Sequence, residues 1–402
     1  MKKIRIIMLL VFCVMLTGGA LATWLVPDRE YSALENRELA QSPEFSGREF
    51  LKGEYQTAYE SYLNDQFPMR DRWVDVAVRL QSAAGRKDIN DVYLGTEGYL
   101  LEKNEEKDCD SGQVAENIET LSSFLNDMTQ TYGDKHVSCL MIPSKTLALS
   151  NRLPAFAKLP ERKEVINSLR EKLFHPNELM DLRETLQKHQ NEYIYYRTDH
   201  HWATLGAYYA YQSWAEKRGQ ATPRPLKHYR QETIFTDFYG TTYNKVHLPV
   251  PADEVTLFHS PAEKGIEVSR DDGDEEVDTL YFPKETSNIG CNRYDVFLSG
   301  NTFKIEINTK AKTGRTLLLV KDSFANCFVP FLTEDYDRIV MIDYRYGKIP
   351  MGTILSEYSD ITDVLVMFNT DKFMENTKLG KLAQTEKKEQ TMQAFNPEEF
   401  LG

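Results

Sequence analysis

Hydrophobic and polar positions along this chain follow two alternating patterns. Apolar residues recur every three or four positions over 113–131, which predicts an amphipathic helix, and 136–142 is a continuous apolar run, which predicts a buried strand. The C-terminal third repeats this succession, with apolar strands predicted at 316–320, 338–343 and 363–368 and helices at 324–332 and 351–358. Continuous apolar strands separated by helices predict an α/β fold, in which a parallel sheet carries helices on both faces.

Three segments depart from this alternation and suggest further divisions of the chain. Residues 27–110 read as an extension of two helices and a hairpin, and the helical spacing of Tyr55, Tyr59 and Trp73 predicts faces packed in a core. Short β-branched and aromatic runs with clustered prolines make 221–314 a β-rich insertion within an α/β domain spanning 111–377. The charged, Gln-rich stretch 378–402 is predicted to be a polar tail.

The first 26 residues have the layout of an export signal. Lys2, Lys3 and Arg5 precede an uncharged apolar run over 6–26, which fits either a cleaved signal peptide or a retained membrane anchor. Both interpretations stay open, and both put the N-terminal segment in contact with a membrane. The rest of the chain is then expected to be exported, either to the extracellular face of the cell membrane or into the medium.

Composition and charge narrow the classes of function. The formal net charge of the 402 residues is -13, which gives a nucleic-acid partner no electrostatic support. The five cysteines lack C-x-x-C spacing, so no metal and no cofactor is predicted, although a Cys109–Cys291 disulfide stays open. The acidic run 271–276 does not have the spacing of a calcium loop and is interpreted as solvated.

The candidate chemistry lies in a histidine-rich segment and at two strand ends. Asp199 and His201 stand two residues apart, so the carboxylate can bond one ring nitrogen and leave the other as a base. Ser323 follows the strand at 316–320, where the beginning of a helix can stabilise an oxyanion. Asn369 follows the strand at 363–368 and can aim a side-chain N–H at the same oxygen. These four residues are the candidate catalytic set for nucleophilic acyl chemistry.

Several of these residues carry a resemblance to a known family. Asp322-Ser323 after a strand and Asn369 resemble the first and third sequence blocks of SGNH hydrolases. The order and spacing of Asp199-x-His201-Trp202 are similar to the SGNH-like proteins of alginate O-acetylation, and the motif at 199–202 is that of the DHHW family. Lys321 stands where the first block has Gly, and the second-block Gly has no counterpart, so the construction of an oxyanion hole stays open.

The resemblance implies a flavodoxin-like SGNH fold and Ser-His-Asp acyl transfer onto a cell-envelope or extracellular polysaccharide. It also implies a membrane-embedded acyltransferase as the acyl donor partner. Two alternatives stay open: a carbohydrate acetylesterase, and a non-catalytic glycan-binding or scaffold protein. The candidate substrate-binding residues are His200, Trp202, Lys145, Tyr344 and Arg345. For each of them an ordinary structural role is the competing interpretation, and His200 is also a second candidate for the base.

Overall fold

The computed structural model describes residues 2–32, 37–103, 111–159, 162–271, 277–284, 286 and 292–383. Its helices are α1 Lys2–Leu25, α2 Gly47–Lys52, α3 Glu54–Asp65, α4 Arg70–Ala83, α5 Ser111–Tyr132, α6 Lys145–Ala148, α7 Lys163–Lys172, α8 Arg183–Gln187, α9 Thr204–Arg218, α10 Met351–Glu357 and α11 Thr370–Glu375. Its strands are β1 Tyr31–Ser32, β2 Arg37–Glu38, β3 Asp88–Ile89, β4 Val92–Leu94, β5 Leu100–Glu102, β6 Val137–Ile142, β7 Leu179–Asp181, β8 Arg230–Phe238, β9 Asp253–His259, β10 Glu267–Arg270, β11 Lys304–Asn308, β12 Thr316–Lys321, β13 Arg338–Ile342 and β14 Asp363–Asn369.

The largest sheet has the strand order β10-β11-β13-β12-β14-β6-β7. The five strands from β13 to β7 are parallel to one another, whereas β10 and β11 join at one edge in antiparallel pairing. The α/β fold predicted from the apolar strand runs is therefore confirmed. Because the strands are parallel, β12 and β14 deliver the residues that follow them to the same edge of the sheet.

Both faces of this sheet are buried. Along β12, Leu317 and Leu319 belong to one apolar core, and Leu318 and Val320 belong to a second core on the opposite face. The alternation follows from the two-residue period of a strand. A sheet covered on both faces is rigid, and it gives the polar residues at its strand ends a fixed support.

The stretch 221–314 contributes strands to two different sheets. Strands β8 and β9 form an antiparallel hairpin of their own, whereas β10 and β11 extend the main sheet. The 3-10 helix Arg293–Val296 lies between β10 and β11 in the chain. The middle of the chain is thus continuous with the main sheet at its edge.

Two local predictions next to the candidate site were wrong. The helix predicted at 324–332 is a pair of 3-10 helices, Ser323–Cys327 and Val329–Leu332. Pro330 lacks the N–H that an uninterrupted α-helix would need at this point. The aromatic run 193–196 predicts a strand that leads into Asp199, but the structure has only a single bridge between Tyr195 and Trp202, because the chain turns back on itself between them.

The aromatic stripes of the N-terminal helices are not core faces. Tyr59 of α3 is 40% exposed and Trp73 of α4 is 52% exposed. The ring of Tyr55 instead stacks on that of Tyr59, with centroids 5.9 Å apart. Helical spacing predicted the helices correctly, but it did not reveal that no second layer covers these faces within the described residues.

Several predictions concern segments about which less can be stated. Cys139 and Cys327 are buried free thiols, whereas Cys109 and Cys291 lie outside the described residues, as do 272–276 and 384–402. Among the helices of the described segments, none is both long enough and apolar enough to span a membrane. The targeting role of residues 1–26 stays a prediction.

Candidate active site

The Asp-His-His-Trp segment forms a tight loop in front of α9. The backbone N–H of Ala203 donates to the carbonyl of Ile194 (3.0 Å), and that of Tyr196 donates to the carbonyl of His201 (3.3 Å). These bonds close the loop and turn Asp199 inward, where it is completely buried. The loop therefore holds a carboxylate in the protein interior, where it needs polar partners.

Asp199 and His201 are joined by two hydrogen bonds to one carboxylate oxygen. Oδ1 of Asp199 accepts from the backbone N–H of His201 (2.9 Å) and lies 2.6 Å from its ring Nδ1. An ionised carboxylate only accepts, so Nδ1 carries the proton and Nε2 is left with a lone pair. This is the arrangement that makes an imidazole a directed base.

The second oxygen of Asp199 is held by Thr241, which sequence reasoning did not find. Both the backbone N–H and the hydroxyl of Thr241 donate to Oδ2, at 2.9 and 3.0 Å. Burial disfavours the charged carboxylate, but the two neighbouring imidazoles and the hydrogen bonds from His201 outweigh it and hold the pKa of Asp199 well below its usual range. Asp199 is therefore ionised at neutral pH.

Ser323 lies at the end of β12, at the free nitrogen of His201. Its Oγ is 2.7 Å from Nε2 of His201, and the residue is 6% exposed. The structure thus brings Asp199, His201 and Ser323 together in one hydrogen-bonded line. A carboxylate, an imidazole and a hydroxyl in this order are able to perform nucleophilic acyl chemistry.

Tyr294 fixes the relative position of the base and the serine. Its ring stacks on the imidazole of His201, with centroids 3.8 Å apart and planes 8° apart. Its hydroxyl donates to the backbone carbonyl of Ser323 (3.0 Å). Tyr294 belongs to the middle of the chain and to no recognisable motif, so no sequence pattern indicated it.

The carboxylate of Asp322 joins the segments at the ends of β12 and β14 through two hydrogen bonds. Its Oδ1 accepts from the N–H of Phe324 (2.9 Å), and its Oδ2 accepts from the N–H of Asn369 (2.6 Å). The side chain of Asn369 caps α11 by accepting from Lys372 (3.2 Å) and donates to the carbonyl of Ile142 (3.3 Å). Asn369 thus stands at the same sheet edge as Ser323, and its role at an oxyanion stays a prediction.

Two buried charges hold the histidine loop from opposite sides. Nζ of Lys145 donates to the carbonyls of Tyr196 (3.1 Å), Arg197 (3.1 Å) and Asp199 (2.7 Å), and burial lowers its pKa to about 8. The carboxylate of Asp253 accepts from the backbone N–H groups of Arg197 (2.6 Å) and of the following threonine (2.7 Å). Lys145 was predicted to contact substrate, but its ammonium is committed to the backbone.

Three other predicted substrate-binding residues are buried or bonded within the protein. Trp202 is fully buried and donates its indole N–H to the carbonyl of Phe324 (2.9 Å), so the prediction of a sugar-stacking face was wrong. Tyr344 is also buried. Arg345 makes two bonds to Asp343, at 2.9 and 2.6 Å, because the carboxylate matches its planar fork. Only the last of these three keeps any exposed surface.

A small pocket of about 20 Å³, with room for about one water molecule, opens at Phe324, the residue that follows Ser323. It is lined by Glu102, Ser144, Lys145, Thr146, His200, Phe324, Asn369, Asp371, Lys372 and Glu375. His200, whose side chain is 25% exposed, contributes its ring to the wall. The predicted position of His200 as a pocket residue therefore agrees with the geometry.

Within the described part of the chain, one cluster has side chains of the types that bind metal ions: Asp199, His200 and His201. Their potential ligand atoms lie within 4.8 Å of one another. In this arrangement Nδ1 of His201 and both oxygens of Asp199 are engaged in hydrogen bonds. The chemistry that follows from these bonds is proton transfer from Ser323 to His201.

The sheet order and the serine at the end of β12 define an SGNH hydrolase-like α/β protein. The family profile described as DHHW protein matches residues 119–342, and the chain belongs to this family. A crystal structure of a DHHW family protein from Eubacterium siraeum DSM 15702 is 24% identical, with a TM-score of 0.57 over 73% of this chain and 95% of that one. Bacillus cereus PatB1 with a sulfonyl adduct is 17% identical, with a TM-score of 0.57 over 73% and 97% of the two chains. A search of curated proteins found no match.

Proposed function

We propose that this protein is an exported O-acetyltransferase that moves an acetyl group through Ser323 onto a hydroxyl of a cell-envelope or extracellular polysaccharide. The observation that carries the proposal is the 2.7 Å separation between Oγ of Ser323 and Nε2 of His201, with Asp199 bonded to the opposite ring nitrogen. The polysaccharide acceptor follows from the family resemblance to proteins of alginate O-acetylation. A membrane-embedded acyltransferase is the proposed acetyl donor.

The first half of the reaction loads the serine. Oγ of Ser323 attacks the acetyl carbonyl carbon while its proton passes to Nε2 of His201, and Asp199 balances the charge of the imidazolium. The bond to the donor's leaving group then breaks, and the leaving group takes the proton from His201. An acetyl-Ser323 ester remains.

The second half transfers the acetyl group. The oxygen of a sugar hydroxyl attacks the same carbonyl carbon, its proton passes to Nε2 of His201, and the ester bond to Ser323 breaks as the proton returns to Oγ. Both halves develop an oxyanion. The N–H of Ser323, at the first position of a 3-10 helix, and the second amide hydrogen of Asn369 are the proposed donors to it.

The experiment that tests this function follows both products of an activated acetate. The purified protein is mixed with 4-nitrophenyl acetate and a set of envelope oligosaccharides, and the protein and sugars are weighed by mass spectrometry. We expect an acetyl adduct on Ser323 and an acetylated sugar, and the loss of both in Ser323→Ala. Rapid hydrolysis without any sugar product would instead support an esterase, and no adduct would support a non-catalytic protein.

Export is tested separately. Residues 1–26 are proposed to carry the chain across a membrane, because basic residues flank the apolar run on one side only. Protease treatment of intact cells should then degrade residues beyond this segment. A chain that is fully protected from the protease would contradict the proposed location.

A further inference from the structure

The hydrogen bonds of Asp199 continue beyond His201 to the second histidine. The hydroxyl of Thr241 donates to Oδ2 of Asp199 (3.0 Å), and the same hydroxyl oxygen lies 2.7 Å from Nδ1 of His200. A hydroxyl has one proton, and that proton is used toward the carboxylate. The oxygen of Thr241 must therefore accept from Nδ1–H of His200.

This assignment fixes the tautomer of His200. Burial, together with the neighbouring His201, lowers the pKa of His200 to about 3, so the ring is neutral at pH 7. A neutral imidazole with its proton on Nδ1 carries a lone pair on Nε2. One carboxylate thus orients both imidazoles, His201 directly and His200 through Thr241.

The ring of His200, which carries this lone pair, lines the small pocket at Phe324. Within the described segments, Nε2 of His200 forms no hydrogen bond, and the ring lines this pocket. The hydroxyl of Ser144 lines the same pocket, is buried, and lacks a protein partner in the described structure. Two polar groups without partners at one pocket indicate a hydrogen-bonding ligand.

The charges around the pocket point to an uncharged ligand. Glu102 pairs with Lys245 (3.1 Å), and Glu375 pairs with Lys372 (2.7 Å). The third acid of the wall, Asp371, pairs with Arg162 (2.6 Å). Each carboxylate therefore has its own cation, and the ammonium of Lys145 is bound by three backbone carbonyls. A neutral hydroxyl-rich molecule fits the remaining groups better than an anionic one.

We propose that Nε2 of His200 accepts a hydrogen bond from a hydroxyl of the sugar acceptor and so positions the neighbouring hydroxyl for attack on acetyl-Ser323. The imidazole rings of His200 and His201 have centroids 3.9 Å apart, so a hydroxyl bound at His200 lies within the width of one sugar ring of the base. His200 binds one hydroxyl, and His201 takes the proton of the other. The acceptor class is an uncharged, hydroxyl-rich saccharide. This inference rests on the proposed transferase function.

The test measures how the acetyl group divides between sugar and water. Acetyl-enzyme formed with 4-nitrophenyl acetate is mixed with chitopentaose, and acetylated pentasaccharide and free acetate are quantified at several sugar concentrations. His200→Phe retains an aromatic ring but lacks the lone pair. It should lower the ratio of transfer to hydrolysis about tenfold, the value of one hydrogen bond, and raise the KM for the sugar. His189→Phe, at a ring stacked on Tyr209 away from the site, is the matched control.

Two further substitutions separate hydrogen bonding from simple packing. The amide oxygen of His200→Gln reaches the position of Nε2 and should restore the ratio, whereas the shorter His200→Asn should not. This pair also decides the question if His200→Phe does not fold. Equal ratios in wild type, His200→Phe and His200→Asn would refute the inference alone. A wild-type protein that acetylates no sugar would refute the proposed function and this inference with it.

Discussion

Gly240 lies directly against the carboxylate that orients both histidines. A Cβ at this position would lie 2.6 Å from Cγ of Asp199, and closer still to its Cβ and Oδ2. Ordinary contact begins near 3.4 Å, so either the carboxylate or the 240–241 backbone must retreat by at least about 0.8 Å. Either movement breaks the two bonds from Thr241 to Oδ2.

The expected size of the effect follows from that displacement. Misplacing a catalytic group by about 1 Å costs on the order of 10²-fold in rate, which corresponds to about 2.7 kcal/mol of transition-state stabilisation. We therefore expect Gly240→Ala to lower kcat/KM for 4-nitrophenyl acetate by roughly 100-fold. The chain should remain folded, because the substitution adds one methyl group to a loop.

The assay compares initial rates and thermal unfolding for three proteins. Gly47→Ala is the control, because a Cβ at Gly47 would meet nothing within 4 Å. Its rate should equal that of the wild type. A Gly240→Ala protein with wild-type kcat/KM would refute the argument that this contact holds Asp199 in place. If Gly240→Ala unfolds at a lower temperature and its rate recovers when the assay is cooled below that temperature, the loss of rate comes from lost stability.

Four other substitutions test the site and its surroundings. His201→Ala should abolish acetyl-enzyme formation, and His200→Ala should be milder, because only His201 contacts Ser323; the reverse order in a mass-spectrometric assay would contradict this assignment. Lys145→Met leaves three loop carbonyls without their donor and should lower the unfolding free energy in urea by on the order of 3 kcal/mol. An unchanged midpoint of urea unfolding would show that the Lys145 ammonium does not stabilise the histidine loop. Burial raises the pKa of Asp295 from 3.8 to about 6, so ionisation of this carboxyl lowers the stability of the fold as pH rises through that window. Asp295→Asn should therefore raise Tm at pH 7 and not at pH 4. Equal gains in Tm at both pH values would contradict this explanation.

The parts of the site that could be predicted from the sequence share a physical cause. Strands β12 and β14 are continuous apolar runs, and such runs are buried in parallel sheets whatever surrounds them. The polar residues that follow them, Ser323 and Asn369, therefore had a predictable position. The short spacing between Asp199 and His201 likewise limited how far apart they could lie.

The parts that were missed depend on contacts between distant segments. Gly240, Thr241 and Tyr294 reach the site because the middle of the chain folds against the histidine loop, and no local pattern encodes that approach. Burial was also beyond the sequence pattern. Trp202 was predicted either to pack in the core or to face a ligand, and it lies in the core, whereas Tyr59 was predicted to be core and is exposed.

Strand β6 has its two neighbours at very different distances along the chain. Strand β7 follows soon after it, but the contact between Ile142 and Asn369, where β6 meets β14, spans 227 positions. During synthesis the hydrogen-bonding edge of β6 that pairs with β14 therefore stays without this partner until β14 has been made. Truncated chains that end before β14 cannot close the sheet, and an assisting chaperone would have to cover that edge.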